Sequence, residues 1–339
     1  MLLSSKIFDL ELKHKFTISR ESLSVRRTLI VKLELDGIAG YGEAVEDPYY
    51  GFTADGMQRD LEGLRPYIEN YNFESPEIFW NDLNKFLDKK RFLHCAIDIA
   101  ANDLFGKLQG KPLYKLWEMT PHNLPMTNYT IGIDTIQVMK EKMLEMPWPI
   151  YKIKLGTDRD IQIIEELRNI TDAVFRVDAN TGWNIKQTID NSKKLKKLGV
   201  EFIEQPMPAD KWLEMEEVFY RSELPLIADE SCRTFSDVAK CPGRFHGINV
   251  KLVKAGGITP ARRMILEAKT LGLKTMVGCM TESSVGIAAV GQLLPYLDYV
   301  DMDGAMLLKN DIGKAHEIVF GNVSLSERPG TGVILNEEF

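Results

Sequence analysis

The sequence predicts an α/β chain, a closed β/α barrel of the TIM type joined to a smaller second domain. Three observations carry this. From Leu124 onward, short apolar runs alternate with helix-compatible segments through eight units; such alternation argues a parallel sheet, and eight units argue closure. The chain has 339 residues, more than the ~250 of a barrel alone, which leaves about a quarter for something else. No G-x-G-x-x-G turn follows any of the runs, which argues against a dinucleotide-binding doubly wound sheet.

Taken in order, the first 50 residues alternate like antiparallel strands, Ile7 to Leu12, Thr28 to Leu35 and Ile38 to Ala44. Asp36-Gly37 between the last two is a hairpin signal. Phe16 to Arg26 is polar and long enough to be a mobile loop over the barrel mouth. From Thr53 to Lys107 the pattern turns helical, with Leu93, Ala96, Ile97, Ala100, Ala101 and Leu104 recurring at three and four. Gly110-Lys111-Pro112 ends that stretch. The expected barrel strands are 125–132, 150–155, 173–179, 201–205, 225–229, 247–252, 274–279 and 299–303. This gives a first domain over 1–115, completed by the tail 312–339, and a barrel over 124–311.

Composition narrows the partners. An apolar fraction of 44% and a charged fraction of 27% fit a soluble globular protein. A net charge of −7 gives no electrostatic case for nucleic acid or an anionic membrane. No apolar run approaches the ~20 residues of a membrane span, and the start is too soon polar for a signal peptide. Cys95, Cys232, Cys241 and Cys279 show no C-x-x-C spacing and read as reduced thiols in a cytoplasmic protein.

Asp178, Glu204 and Asp229 each end an apolar run, at steps of about 25 residues, the length of a strand, a return helix and two turns. The C-terminal ends of barrel strands carry the active site. Three carboxylates meeting there would repel one another unless a cation joins them, and hard oxygen donors without Cys or His point to Mg²⁺. Lys152 and Lys154 end the run before this triad, and residues two apart on a strand share a face. Lys251 ends the run after it. A substrate held by the cation between the two sides could lose a proton to one amine and regain it from the other. Lys152, beside Lys154, reads as an electrostatic helper that disfavours its neighbour's charged form.

These motifs resemble the enolase superfamily, and within it the muconate lactonizing enzyme subgroup. They are Lys-x-Lys, Val-Asp-Ala-Asn (177–180), Glu-Gln-Pro (204–206), Ala-Asp-Glu-Ser (228–231) and Asn-Val-Lys-Leu-Val-Lys-Ala-Gly-Gly (249–257). The resemblance implies a modified (β/α)7β barrel under an N-terminal α+β capping domain, and assembly into homo-oligomers. Asp301-x-Asp303 at the eighth strand resembles the signature of dipeptide epimerases, where two anions hold a substrate ammonium group. It implies 1,1-proton transfer at the α-carbon of a dipeptide's C-terminal residue, with Lys154 and Lys251 as base and acid and an enolate between them. Ala–Glu from peptidoglycan turnover is the substrate the resemblance favours. Arg20 or Arg26 in the loop would take the Glu side chain. Thr130, Ile131, Met280 and Thr281 would line the pocket, and Asn180, Glu230 and Asn249 would orient lysines and ligands. Glu230 is expected to turn away from its neighbour Asp229.

Each of these residues also has a plainer role open to it. A lone strand-end Asp is usually a helix N-cap, but three at constant spacing with Lys on both sides make that reading unlikely for all. Lys254, Lys309 and the run around Lys193 to Lys197 read as solvated. Gly256-Gly257 could cradle a phosphate, but they read better as turn glycines. Two other functions stay open. One is a cycloisomerase or syn-dehydratase on the same lysines, whose substrate would not need the paired aspartates. The other is a metal-dependent binding protein, which would need neither lysine.

Overall fold

The computed structural model describes residues 1–19 and 21–337. The chain opens with β1 (Leu2–Ile18), β2 (Glu21–Leu35) and β3 (Ile38–Val45), an antiparallel sheet in that order. Asp36 and Gly37 make the expected turn at positive φ, 53° and 77°. Three helices follow, α1 (Ala54–Glu69), α2 (Pro76–Leu87) and α3 (Arg91–Leu108), with a short α4 (Leu113–Leu116). Thr53 and Ser75 cap the first two by accepting the Gly56 and Ile78 amides. The helix α3 is buried almost all round and lies on β3. That approach needs glycine: a side chain at Gly40 or Gly42 would collide with the α3 backbone at Ala100 and Ala96.

The barrel runs β4 (Tyr129–Ile131), α5 (Ile136–Glu145), β5 (Ile150–Lys154), α6 (Asp160–Arg168), β6 (Val174–Asp178), α7 (Ile185–Lys197), β7 (Val200–Glu204) and α8 (Trp212–Arg221). It continues through β8 (Leu226–Ala228), α9 (Phe235–Val238), β9 (Gly247–Lys251), α10 (Leu252–Ala255), α11 (Ile258–Thr270), β10 (Lys274–Gly278), α12 (Ser284–Leu293) and β11 (Tyr299–Asp301). The eight strands pair in parallel and in sequence order. The ring closes where Thr127 bridges Val300 and the Thr127 hydroxyl accepts the Met302 amide at 3.0 Å. One apolar core joins the barrel and α3. Among the described residues, no helix is long and apolar enough to cross a membrane. All four cysteines carry free thiols and are buried.

Three expectations need correction. The described residues of the segment 16–26 do not form a loop. β1 and β2 extend through it as a hairpin, with Ile18 opposite Glu21 and a register shift between Glu11 and Phe16; polar alternating residues can build a two-faced ribbon as readily as a loop. This hairpin crosses the barrel mouth. The Thr17 carbonyl accepts the Ile133 amide at 2.8 Å, and the Ser19 hydroxyl donates to the Asn180 carbonyl at 3.3 Å. The first and eighth strands are also shorter than expected, and Asp303 lies beyond β11 rather than on it. The tail packs on the first domain: Gly330 bridges Pro112, and Thr331 donates to Asp103 through both amide and hydroxyl at 2.8 and 2.9 Å.

Candidate active site

The strand order places the site. Asp178 ends β6, Glu204 ends β7, and Asp229 follows β8 by one residue, so their carboxylates converge on one side of the mouth. Oxygens from all three lie within 4.8 Å of one another, and all three residues are buried. Glu204 Oε2 and Asp229 Oδ2 accept no well-aligned hydrogen bond. Among the described residues, ammonium groups pair with them, Lys152 Nζ with Glu204 at 2.8 Å and Lys251 Nζ with Asp229 at 3.1 Å. Hard, anionic oxygens with open lone pairs fit a divalent cation of the Mg²⁺ kind.

Lys154 ends β5 and Lys251 ends β9. These strands are four apart in a ring of eight, so the two amines face each other across the mouth. Lys154 donates to Asp178 Oδ2 at 2.7 Å. Burial works against the charge on Lys251, but Asp229 overcomes it and raises the pKa above lysine's usual value. β7 and β11 are also four apart, a quarter-turn from the lysine pair. The carboxylates and Asp301 therefore lie along one diameter and the two lysines along the other.

Lys152 sits where these groups meet, 2.8 Å from both Glu204 and Asp301 and 3.3 Å from Asp178. Burial again opposes its charge, but Asp301, Glu204 and Asp178 together raise its pKa well above the usual value. The carboxylates answer unequally. Asp178 falls to about 2, burial being outweighed by Lys154 and Lys152. Asp229 falls further, burial being outweighed by Lys251 and Lys254. Glu204 rises to about 7 through burial and then Asp178. Burial opposes ionisation of Asp301 too, but Lys152 holds it low. Asp303 is pushed up to about 8 by burial and by Asp301 beside it.

Around these groups, Asn249 donates to Glu204 at 2.8 Å, and the Asn180 amide donates to Asp178 at 2.9 Å. Asn180 takes a left-handed backbone, φ 43°, which turns the chain under the lid hairpin. Glu230 is buried past the end of β8, and burial, then Asp229 and Asp178, raise its pKa. Asp303 reaches the site from the turn after β11, where it accepts the Thr130 amide at 2.5 Å. Thr130, Met280 and Thr281 line a cleft of about 60 Å³ with Lys154, Lys251, Asn180, Asp301 and Asp303. Ile131 is in the apolar core. Arg20 lies outside the described residues. Arg26 lines the cleft, but it is already engaged by Glu21 and by the Glu46 carbonyl.

Three residues were not anticipated. Lys254, expected in solvent, is buried and donates to the Asp229 carboxylate and, at 2.9 Å, to its carbonyl. Its signal was its place one helical turn after Lys251. Gln205 accepts the Asp229 and Ser231 amides at 2.9 and 3.0 Å, which fixes the turn that carries Asp229. Asn128 donates to Asp301 at 2.8 Å. Lys309 is solvated as expected.

A capped barrel with buried carboxylates and lysines along crossed diameters of its mouth defines an enolase-type fold and site. Residues 4–117 match the mandelate racemase / muconate lactonizing enzyme N-terminal domain, and residues 136–339 match the enolase C-terminal domain-like family. An L-Ala-D/L-amino acid epimerase of Flavobacterium johnsoniae is 57% identical over 335 residues, covering 99% of this chain and 100% of that one. An L-Ala-D/L-Glu epimerase of Bacteroides thetaiotaomicron is 39% identical, covering 96% and 86%. The substrate-liganded L-Ala-D/L-Glu epimerase of Bacillus subtilis superposes with a TM-score of 0.93 at 26% identity, over 98% of each chain. A dipeptide epimerase of Methylococcus capsulatus, complexed with Mg and L-Arg-D-Lys, gives 0.89 at 27%, also over 98% of each. The chain belongs to the dipeptide epimerases of the enolase superfamily.

Proposed function

We propose that the protein is a Mg²⁺-dependent dipeptide epimerase that inverts the α-carbon of the C-terminal residue by 1,1-proton transfer. The crossed diameters support it most directly. The β6–β8 carboxylates and the β11 aspartates stand at opposite ends of one diameter, matching a dipeptide's two charged ends, and Lys154 and Lys251 stand at the ends of the other. The substrate's α-amino group pairs with Asp301 and Asp303, which fixes its direction in the cleft. Asp178, Glu204 and Asp229 would hold Mg²⁺, which supplies Lewis-acid stabilisation of the second negative charge that grows on the substrate carboxylate.

The α-carbon then lies between the two amines. Lys154 or Lys251, in its neutral form, removes the α-proton from its own side, and the other ammonium returns a proton to the opposite face. Asp178 and Asp229 keep the two amines aimed inward. Lys152 adds a fixed positive charge near the developing enolate. The lid hairpin, laid across the mouth, excludes water from the reacting carbon. A cycloisomerase or dehydratase would leave Asp303 without an ammonium partner.

The test is proton NMR of L-Ala-containing dipeptides with the protein and Mg²⁺ in D₂O. Loss of the C-terminal α-proton signal with growth of the L,D diastereomer is the expected result. No exchange with any dipeptide, at Mg²⁺ concentrations shown to bind, would overturn the reading.

A further inference from the structure

The lid supplies one wall of the cleft, through Phe16, Ile18, Glu21, Arg26 and Asp47. Among the described residues of that wall, Arg26 is the one cation. Its two terminal nitrogens are already engaged, while the buried Nε faces no partner among the described residues. Nη1 and Nη2 each donate to an oxygen of Glu21 at 3.2 Å, and Nη1 also donates to the Glu46 carbonyl at 2.9 Å. The Arg26 side chain is only 8% exposed, against 31% for Glu21. Glu21 is therefore the more accessible member of the pair, and both line the cleft.

Which part of a substrate meets this wall follows from the crossed diameters. As the α-proton leaves, the α-carbon becomes planar, and its plane stands across the Lys154–Lys251 line. Two of its three substituents are taken: the carboxylate points to β6–β8, and the amide nitrogen leads towards β11. The third, the side chain, must point down the barrel axis or up it. Downward is packed core. Upward is the lid wall.

We propose that this wall selects dipeptides whose C-terminal side chain is uncharged or cationic, and that Glu21 turns an acidic side chain away. A substrate carboxylate reaching Arg26 must either expel Glu21 from a two-bond pair or crowd against Glu21 and Asp47. Both lower its affinity, since a site discriminates as much by repulsion as by attraction. An uncharged chain meets Phe16 and Ile18 instead, and an ammonium meets two carboxylates. This narrows the substrate expected from the sequence, in which a lid arginine was to take the carboxylate of Ala–Glu.

The proposal rests on the epimerase reading, and its test separates the two. L-Ala-L-Gln and L-Ala-L-Glu have nearly the same shape and differ in charge, so their kcat/KM ratio isolates the effect of charge. The ratio is expected to favour Gln by at least about tenfold, within what one repulsive contact can supply. Glu21→Gln, which keeps the shape and leaves Arg26 uncompensated, is expected to bring that ratio to within about threefold of one. A wild-type ratio near or below one would overturn the proposal while leaving an epimerase. So would a ratio that Glu21→Gln does not move. Exchange with no dipeptide at all would sink the reading beneath it as well.

Discussion

The barrel mouth and the seams that join the first domain to the tail and to the barrel both bury charged side chains, but they treat them differently. In the seams the carboxylates of Asp103 and Glu43 are matched by fixed donors. Asp103 accepts the Thr331 amide and hydroxyl, the Tyr41 amide and the Lys107 ammonium, all at 2.6–3.0 Å. Glu43 accepts the Ser283 amide at 3.0 Å, its hydroxyl at 2.5 Å and the Gly286 amide at 2.8 Å. In the mouth, five carboxylates and four lysines share one space, and neighbouring pKa values diverge: Asp178 about 2 beside Glu204 about 7, and Asp301 held low beside Asp303 at about 8. A saturated carboxylate is a fastener. Like charges forced together, with oxygens left open, mark a place that awaits ligands.

The comparison can be broken by substitutions that move only one side of it. The largest effect expected is at Asp103. Asp103→Ala leaves the Tyr41 and Thr331 amides without their acceptor, and losing one partner from a buried charged network costs about 3–5 kcal/mol. A urea titration should show that loss, with kcat unchanged in the folded fraction. A fall in kcat with full stability would erase the distinction between seam and mouth.

Asp303→Ala should do the reverse. Loss of one charge-assisted bond to the substrate ammonium is worth about 1.5–3 kcal/mol, or roughly 10–150-fold in kcat/KM. The unfolding midpoint should fall by less than with Asp103→Ala, because only the Thr130 amide loses its acceptor and the fold disfavours ionisation of this carboxyl. A large loss of stability with intact kcat/KM would make Asp303 a fastener.

The smallest effect is a titration in the seam. His94 stacks on Trp80 at 4.8 Å, and Trp80 donates to the Gly256 carbonyl at 2.9 Å, joining the first domain to the barrel. Burial lowers the His94 pKa from 6.5 to about 4. A histidine held neutral contributes stability above its unfolded pKa and loses it as pH falls from 6.5 towards 4. The expected slope is one proton, about 1.4 kcal/mol per pH unit. His94→Phe keeps an aromatic ring on Trp80 and should flatten the stability curve by that proton. An unchanged slope would show that His94 does not titrate in this window.

The barrel was legible because its strands are short apolar runs, most of them ending at a charged residue, and the register of eight such runs has few alternatives. The triad and the lysines were legible for the same reason. What escaped lay off the strands. Lys254 projects from a single helical turn, Gln205 acts from a backbone at φ 34°, and Asp303 reaches inward from a turn where alternation gives no guide. The lid was misread as a loop because its polar alternation fits a ribbon and a loop equally well. The partner of Arg26, Glu21, lies five residues before it on the same strand, a spacing that by itself does not announce an ion pair.

The central claim is that Lys154 and Lys251 serve opposite faces of one α-carbon. Lys154→Ala and Lys251→Ala, each given the separate L,L and L,D diastereomers of one dipeptide in D₂O, test it directly. Each substitution should abolish epimerisation, by roughly 10²–10⁴-fold or more, while the surviving lysine still exchanges the α-proton of one diastereomer, a different one in each variant. Exchange of both diastereomers by either variant, or of the same one by both, would contradict the account.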